Sequence, residues 1–161
     1  MKKYFIFLII ILSACTREYK ENEFINNDCN IPIIDCIIEG DTVSLIVDSG
    51  AEYSLIDQKY YYTNEYKFRL INTIETEFHG INGTKKSKSD IVVVNTSLGY
   101  ITFVEQDLTE VINSKPHYKL VGILGSEFFV KNNYIIDYKM KKIYPYEQLN
   151  SIYGKSVSRS R

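Results

Sequence analysis

The chain has 161 residues, 45% of them hydrophobic and 24% charged, which is enough for one domain with a core of its own. Nineteen basic residues stand against twenty acidic ones, a formal charge of -1. No basic field therefore invites nucleic acid, and no single-sign block would keep the chain unfolded.

At the N-terminus, Lys2 and Lys3 precede a nine-residue apolar run, Tyr4 to Leu12, that closes on Ser13, Ala14 and Cys15. That is the layout of a secretory signal, and a membrane-spanning helix would need about 20 apolar residues. Leu12-Ser13-Ala14-Cys15 resembles the lipobox of bacterial lipoproteins. The resemblance implies cleavage before Cys15, acylation of that cysteine and attachment to a membrane of the bacterial cell envelope, on the outer membrane or its periplasmic face where two membranes are present. Two or more acyl chains hold a protein on a bilayer where one binds only marginally. The other reading is a plain secretory signal with an unmodified cysteine. Residues 1–14 are then the signal peptide. Residues 15–30 are the lipidated cysteine and a polar tether, since Thr16 to Asn30 keeps no sustained hydrophobic period.

The folded body is expected to span residues 31–147. Ile31 to Glu39 and Thr42 to Val47 are β-rich runs split by Gly40-Asp41, which reads as a hairpin. Lys67 to Ile74 and Glu75 to Phe78 favour strand, the glycines of "HGINGT" (His79 to Thr84) mark a turn, and Ile91 to Val94 returns to strand. Leu98 to Glu105 and Leu120 to Leu124 add further strands. Ser126 to Asn132 reads as the single short helix, and Tyr134 to Tyr138 pairs with Lys142 to Tyr146 around "KMK". Residues 148–161 form a polar, basic tail. Many short strands with one small helix argue for a closed or folded-over β architecture.

Cys29 and Cys36, with six residues between them, form either a disulfide or two unpaired thiols. His79 and His117 do not stand at zinc-ligand spacing from either cysteine, so neither a metal nor any other cofactor is expected. No Gly-x-Ser-x-Gly elbow is present to suggest a serine hydrolase.

The chemistry concentrates in "SLIVDSGAEYSLID", Ser44 to Asp57. An apolar strand runs into Asp48 and is expected to carry its carboxylate into the interior, where a charge is costly unless compensated. Asp48-Ser49-Gly50-Ala51 resembles the Asp-Thr/Ser-Gly-Ala signature of retropepsin-like aspartic peptidases. Val121 to Tyr144 is similar to the C-terminal portion of that family, with Ile123-Leu124-Gly125 at the place where two apolar residues and a glycine support the catalytic loop. The resemblance implies an all-β, retropepsin-like, closed barrel-like single lobe with one short α-helix near the C-terminus. It implies Asp48 as catalytic acid and base, Ser49 tying two loops together, Gly50 and Ala51 lining the substrate, and Ser54 hydrogen-bonding within the loop. It further implies a flap around Gly80, Ile81, Asn82 and Gly83; an ordinary exposed hairpin is the other reading of that stretch.

Peptide hydrolysis needs a base for water and an acid for the carbonyl oxygen, and two carboxylates sharing a proton supply both. Asp57, Asp90 and Asp137 lack the Ser/Thr-Gly context. The second aspartate is thus expected from a homodimer, with Asp48 of each copy facing the other and a peptide as substrate. Two readings remain open here: an envelope-anchored aspartic endopeptidase, and a non-catalytic lipoprotein of the same fold that binds a peptide or a partner protein, with Asp48 a buried acid capping its own loop.

Overall fold

The structure is a computed structural model that describes residues 21–25, 31–80 and 83–149, with side chains described except at 76–80 and 83–87. The signal segment, Cys15, Cys29, Ile81, Asn82 and residues 150–161 lie outside the described residues.

The first full strands are β2 (Ile33–Ile38) and β3 (Asp41–Val47), which follow the two-residue strand β1 (Asn22–Glu23). Glu39 and Gly40 link them with φ of 45° and 88°. Two successive positive φ values make the tight turn whose twist matches a hairpin, so Ile38 pairs with Asp41. Ile34, Cys36 and Ile38 of β2, with Val43, Leu45 and Val47 of β3, face the main core. Ile33 and Ile46 face a second cluster with Leu120, covered by Ile25, Val111 and Ile112. Because both its faces are covered there, β3 ends in three consecutive apolar residues, Leu45-Ile46-Val47.

The remaining strands are β4 (Leu55–Asp57), β5 (Arg69–Gly80), β6 (Gly83–Thr96), β7 (Gly99–Gln106) and β8 (Leu120–Leu124), followed by the hairpin β9 (Tyr134–Asp137) and β10 (Lys142–Pro145). The order β2-β3-β8-β4-β7-β6 closes into a six-stranded barrel because β6 also pairs with β2, at Thr96 and Ile38. β5 adds outside β6. β3 and β8 run parallel, β4 is antiparallel to β8, and β4 runs parallel to β7. The chain is therefore a closed, mostly β lobe. Its interior is filled by aliphatic side chains, Phe103, Phe128 and Tyr61, and each such fully buried side chain contributes about 1.5–3 kcal/mol.

The structure corrects several expectations. Three short α-helices, not one, occur among the described residues: α1 (Gln58–Thr63), α2 (Thr109–Asn113) and α3 (Ser126–Lys131). α1 holds the run Tyr60-Tyr61-Tyr62, whose β-favouring side chains disguise it; Asp57 starts it by accepting the Tyr60 N–H at 3.1 Å. The tether reading of residues 15–30 also fails in part. β1 pairs with β10 (Asn22 with Ile143, Glu23 with Lys142), and Phe24 N–H donates to Lys141 O at 2.7 Å. Lys142 reaches Glu21 at 2.7 Å. Local polarity hid this strand because its partner lies more than a hundred residues downstream. The two strand-favouring runs of 67–78 are one twelve-residue strand, β5, preceded by a 3-10 helix at Glu65–Lys67.

Cys36 is a free thiol buried in the barrel, contacted by Ser97 Oγ at 3.8 Å, and burial pushes its pKa up. Among the described residues no helix is long and apolar enough to cross a membrane.

Candidate active site

The loop after β3 is fixed by what it must cross. β8 lies between β3 and β4, so residues 48–54 pass over the end of β8 to reach β4 on its far side. Asp48 N–H donates to Leu124 O at 3.0 Å, extending the parallel pairing of β3 and β8 by one rung. Ala51 N–H then returns to Asp48 O at 3.2 Å, closing a tight turn.

On its far side the loop serves as a cap. The first N–H groups of a helix lack partners within it, and α3 begins at Gly125, which has no side chain to cap them. Ala51 O accepts the Ser126 N–H at 2.7 Å and Glu52 O accepts the Glu127 N–H at 3.1 Å. The Ser126 hydroxyl also donates to Glu52 O, at 3.4 Å. Loop and helix thus satisfy one another's backbone.

Ser54 completes the frame. It is 2% exposed, its Oγ accepts the buried Gly125 N–H at 3.1 Å, and its carbonyl accepts Val104 N–H of β7 at 2.9 Å. A Cβ on Gly125 would stand 2.4 Å from the Tyr53 carbonyl and 2.9 Å from Ala51 O, so only glycine admits this approach. Gly122, which the sequence reading left unmarked, is the same device one turn of chain earlier: a Cβ there would meet Leu55 O at 2.4 Å. A glycine inside the apolar run "LVGIL" was the available signal.

Asp48, Ser49 and Gly50 are exposed, Ala51 and Ile123 half-buried, and Leu124 and Gly125 buried. The expectation that β3 carries the Asp48 carboxylate into the interior is therefore overturned for the single chain. Val47 is the last buried residue of the strand, and the carboxylate stands at the barrel's mouth, its Oδ1 accepting the Gly50 N–H at 2.9 Å. Nearby, a hydrogen bond to Glu52 raises the Tyr53 phenol above its ordinary pKa. Gly80 and Gly83 are the last paired residues of the β5–β6 hairpin, while Ile81 and Asn82 between them lie outside the described residues, as does Cys15.

The other aspartates are occupied structurally. Asp57 is buried and accepts the Tyr60 and Leu108 N–H groups, and Asp137 accepts the Met140 N–H in the β9–β10 turn. Among the described residues no group of three or more His, Cys, Asp or Glu is placed to hold a metal.

A closed β lobe with an Asp-Ser-Gly-Ala loop braced by a Gly-started helix defines the class of acid-protease lobes. Residues 34–128 match the aspartyl protease family, and the chain belongs to it. Among solved structures it is similar to a retropepsin-like aspartic protease from Rickettsia conorii, with 13% identity, 78% of this chain and 89% of that chain covered, and a TM-score of 0.49. It is also similar to EIAV protease complexed with the inhibitor HBY-793, with 15% identity, 66% and 93% covered, and a TM-score of 0.43. No curated protein matches the chain.

Proposed function

We propose that the protein is an aspartic endopeptidase of the bacterial envelope, anchored through Cys15, whose catalytic pair is Asp48 from each of two copies. The observation that carries this reading is the exposed Asp48 carboxylate on a loop locked by β8 and α3. The family membership supports it.

One carboxylate per chain cannot act as both acid and base at once. Two of them about 3 Å apart across a two-fold axis share one proton, because like charges so close do not both ionise. The ionised member takes a proton from water as the hydroxyl attacks the peptide carbonyl carbon, and the protonated member gives its proton to the carbonyl oxygen. Collapse of that intermediate breaks the C–N bond: the amine leaves with the proton of the now protonated aspartate, and a hydroxyl of the intermediate returns its proton to the ionised one, which leaves a carboxylic acid and restores the shared proton. Ser49 would tie the two loops, and Gly50 and Ala51 would line an extended peptide that the β5–β6 hairpin covers in the manner of an added strand.

The test is cleavage of unfolded peptides at mildly acidic pH by protein lacking residues 1–15, with Asp48→Asn as the control. The Asn variant is expected to lose cleavage with an unchanged circular dichroism spectrum. An Asn variant as fast as wild type overturns the assignment, as does a wild-type protein that cleaves while strictly monomeric by sedimentation.

A further inference from the structure

The β5–β6 hairpin changes character at one residue. From Ile91 to Thr96, β6 has β7 on one side, pairing from Val104 to Gly99, while β5 lies on the other as far as Val93. From Asp90 to Gly83, the pairs of β6 are with β5 alone, ending at Gly80 and Gly83. A two-stranded arm therefore leaves the barrel at Asp90. Just inside that point the register shifts between Leu70 and Asn72, placing a bulge at the root of the arm. A bulge bends and twists its strand, so the root is where the arm's direction is set.

Asp90 joins the arm to the body at this root. Its Oδ1 accepts the hydroxyl of Thr73, its cross-strand partner on β5, at 2.7 Å. Its Oδ2 accepts the phenol of Tyr61 on α1 at 3.3 Å. Its backbone N–H points to Glu105 Oε2 on β7 at a long 3.5 Å. Tyr61 and Glu105 are 2% and 3% exposed, so the two anchors belong to the packed body and do not move with solvent. Burial, then the Asp90 charge, push the Tyr61 phenol up to about 12, and it remains a proton donor over the whole working range.

We infer that Asp90 is the hinge pin of the β5–β6 arm, fixing the angle at which the arm leaves the barrel and thereby positioning it over a bound peptide. The positioning half rests on the proposed peptidase reading; the pin itself rests on the hydrogen bonds alone. Asp90 is a positioning residue, acting through the arm and touching no reacting atom.

The test compares Asp90→Ala, Thr73→Val and Tyr61→Phe in the whole chain, reading amide hydrogen exchange along 74–80 and 83–89 beside steady-state cleavage. Each variant is expected to speed exchange in the arm by about tenfold, the effect of losing a hydrogen bond to a charged acceptor, while β3 and β8 keep their protection. KM is expected to rise by about the same factor with kcat within about twofold, because the arm binds peptide and the chemistry lies elsewhere. Tyr61→Phe keeps the ring's packing and answers the question should Asp90→Ala fail to fold. Unchanged exchange in the arm, or faster exchange throughout β3 and β8 alike, overturns the pin. Faster exchange in the arm with KM unchanged overturns the positioning role. Absence of cleavage by the wild type sinks the peptidase reading instead, and leaves the exchange data to judge the pin.

Discussion

Replacing Ser54 by alanine removes one oxygen and isolates the brace between loop and helix. The Ser54 hydroxyl accepts the Gly125 N–H at 3.1 Å in a buried setting, and among the described residues no other acceptor of that N–H stands in the hydrogen-bond network. With alanine the amide remains buried and unpaired, and such a donor costs about 1–3 kcal/mol. The small void left by the hydroxyl adds little, and the Ser54 carbonyl keeps its bond to Val104. In urea, with an m-value of about 2 kcal/mol/M, the unfolding midpoint should fall by about 0.5–1.5 M. Amide exchange should accelerate first at Gly125 and Ser126, ahead of global unfolding. A midpoint within about 0.2 M of wild type, with Gly125 still protected, would refute the claim that this hydroxyl holds the loop to the helix.

Gly125→Ala attacks the same joint sterically. Ordinary contact begins at 3.4 Å and the new Cβ would lie 2.4 Å from the Tyr53 carbonyl, so loop and helix must part by 1.0 Å; such overpacking costs about 1–3 kcal/mol in a urea titration, and an ångström of displacement near reacting groups can cost about 100-fold in peptide cleavage. Asp57→Ala should lower stability by about 2–4 kcal/mol in thermal melts, because the cap on Tyr60 and the acceptor for Leu108 are lost together. Burial, opposed by the Asp90 N–H and reinforced by the charges of Asp90 and Asp57, raises the Glu105 pKa. A raised carboxyl pKa contributes stability that is full below the ordinary carboxylate range and lost as pH rises through the folded value. Glu105→Gln is therefore expected to melt higher than wild type at about pH 7.5, by about 2–4 °C per kcal/mol regained, with the difference closing toward about pH 4; a gap that widens in acid contradicts this assignment. Asp48→Asn should shift the urea midpoint by less than about 0.5 kcal/mol in free energy, since the carboxylate is exposed and an amide oxygen can still accept the Gly50 N–H.

What the sequence disclosed followed the range of each interaction. The β2–β3 hairpin was legible because a glycine turn sits between the paired strands, although the turn falls at Glu39-Gly40 and not at the expected Gly40-Asp41, which leaves Asp41 in β3 paired with Ile38. The closed β architecture was legible from the number and shortness of the apolar runs. β1 was not, since two residues in a polar stretch carry no period and are held by a strand far along the chain. α1 was hidden by three tyrosines whose intrinsic preference is strand, although Asp57 two residues after the apolar Leu55 was a usable cap signal. At the site, the acidic loop and the Ile123-Leu124-Gly125 stretch could be picked out as motifs, but their union could not. It depends on β8 entering between β3 and β4, a choice of strand order that no local pattern encodes. The direction of Asp48 was misread for a related reason: the apolar run that leads into it points inward, yet the strand ends at Val47 and the next residue obeys the loop.

That misreading exposes how the loop divides its burdens. A carboxylate used as structural glue is buried and saturated, as Asp57 is with its two backbone N–H groups. Asp48 has one such N–H and stands in the open. The rigidity of its loop comes instead from neutral atoms: Leu124 O, the Ala51 and Glu52 carbonyls on α3, and the Ser54 hydroxyl. Burying the acid to hold the loop would have cost several kcal/mol in desolvation and used up its lone pairs. Holding the loop with backbone carbonyls and one hydroxyl places the carboxylate in a defined position at the barrel's mouth and leaves its second oxygen to solvent, which is the geometry the proposed acid–base role asks for.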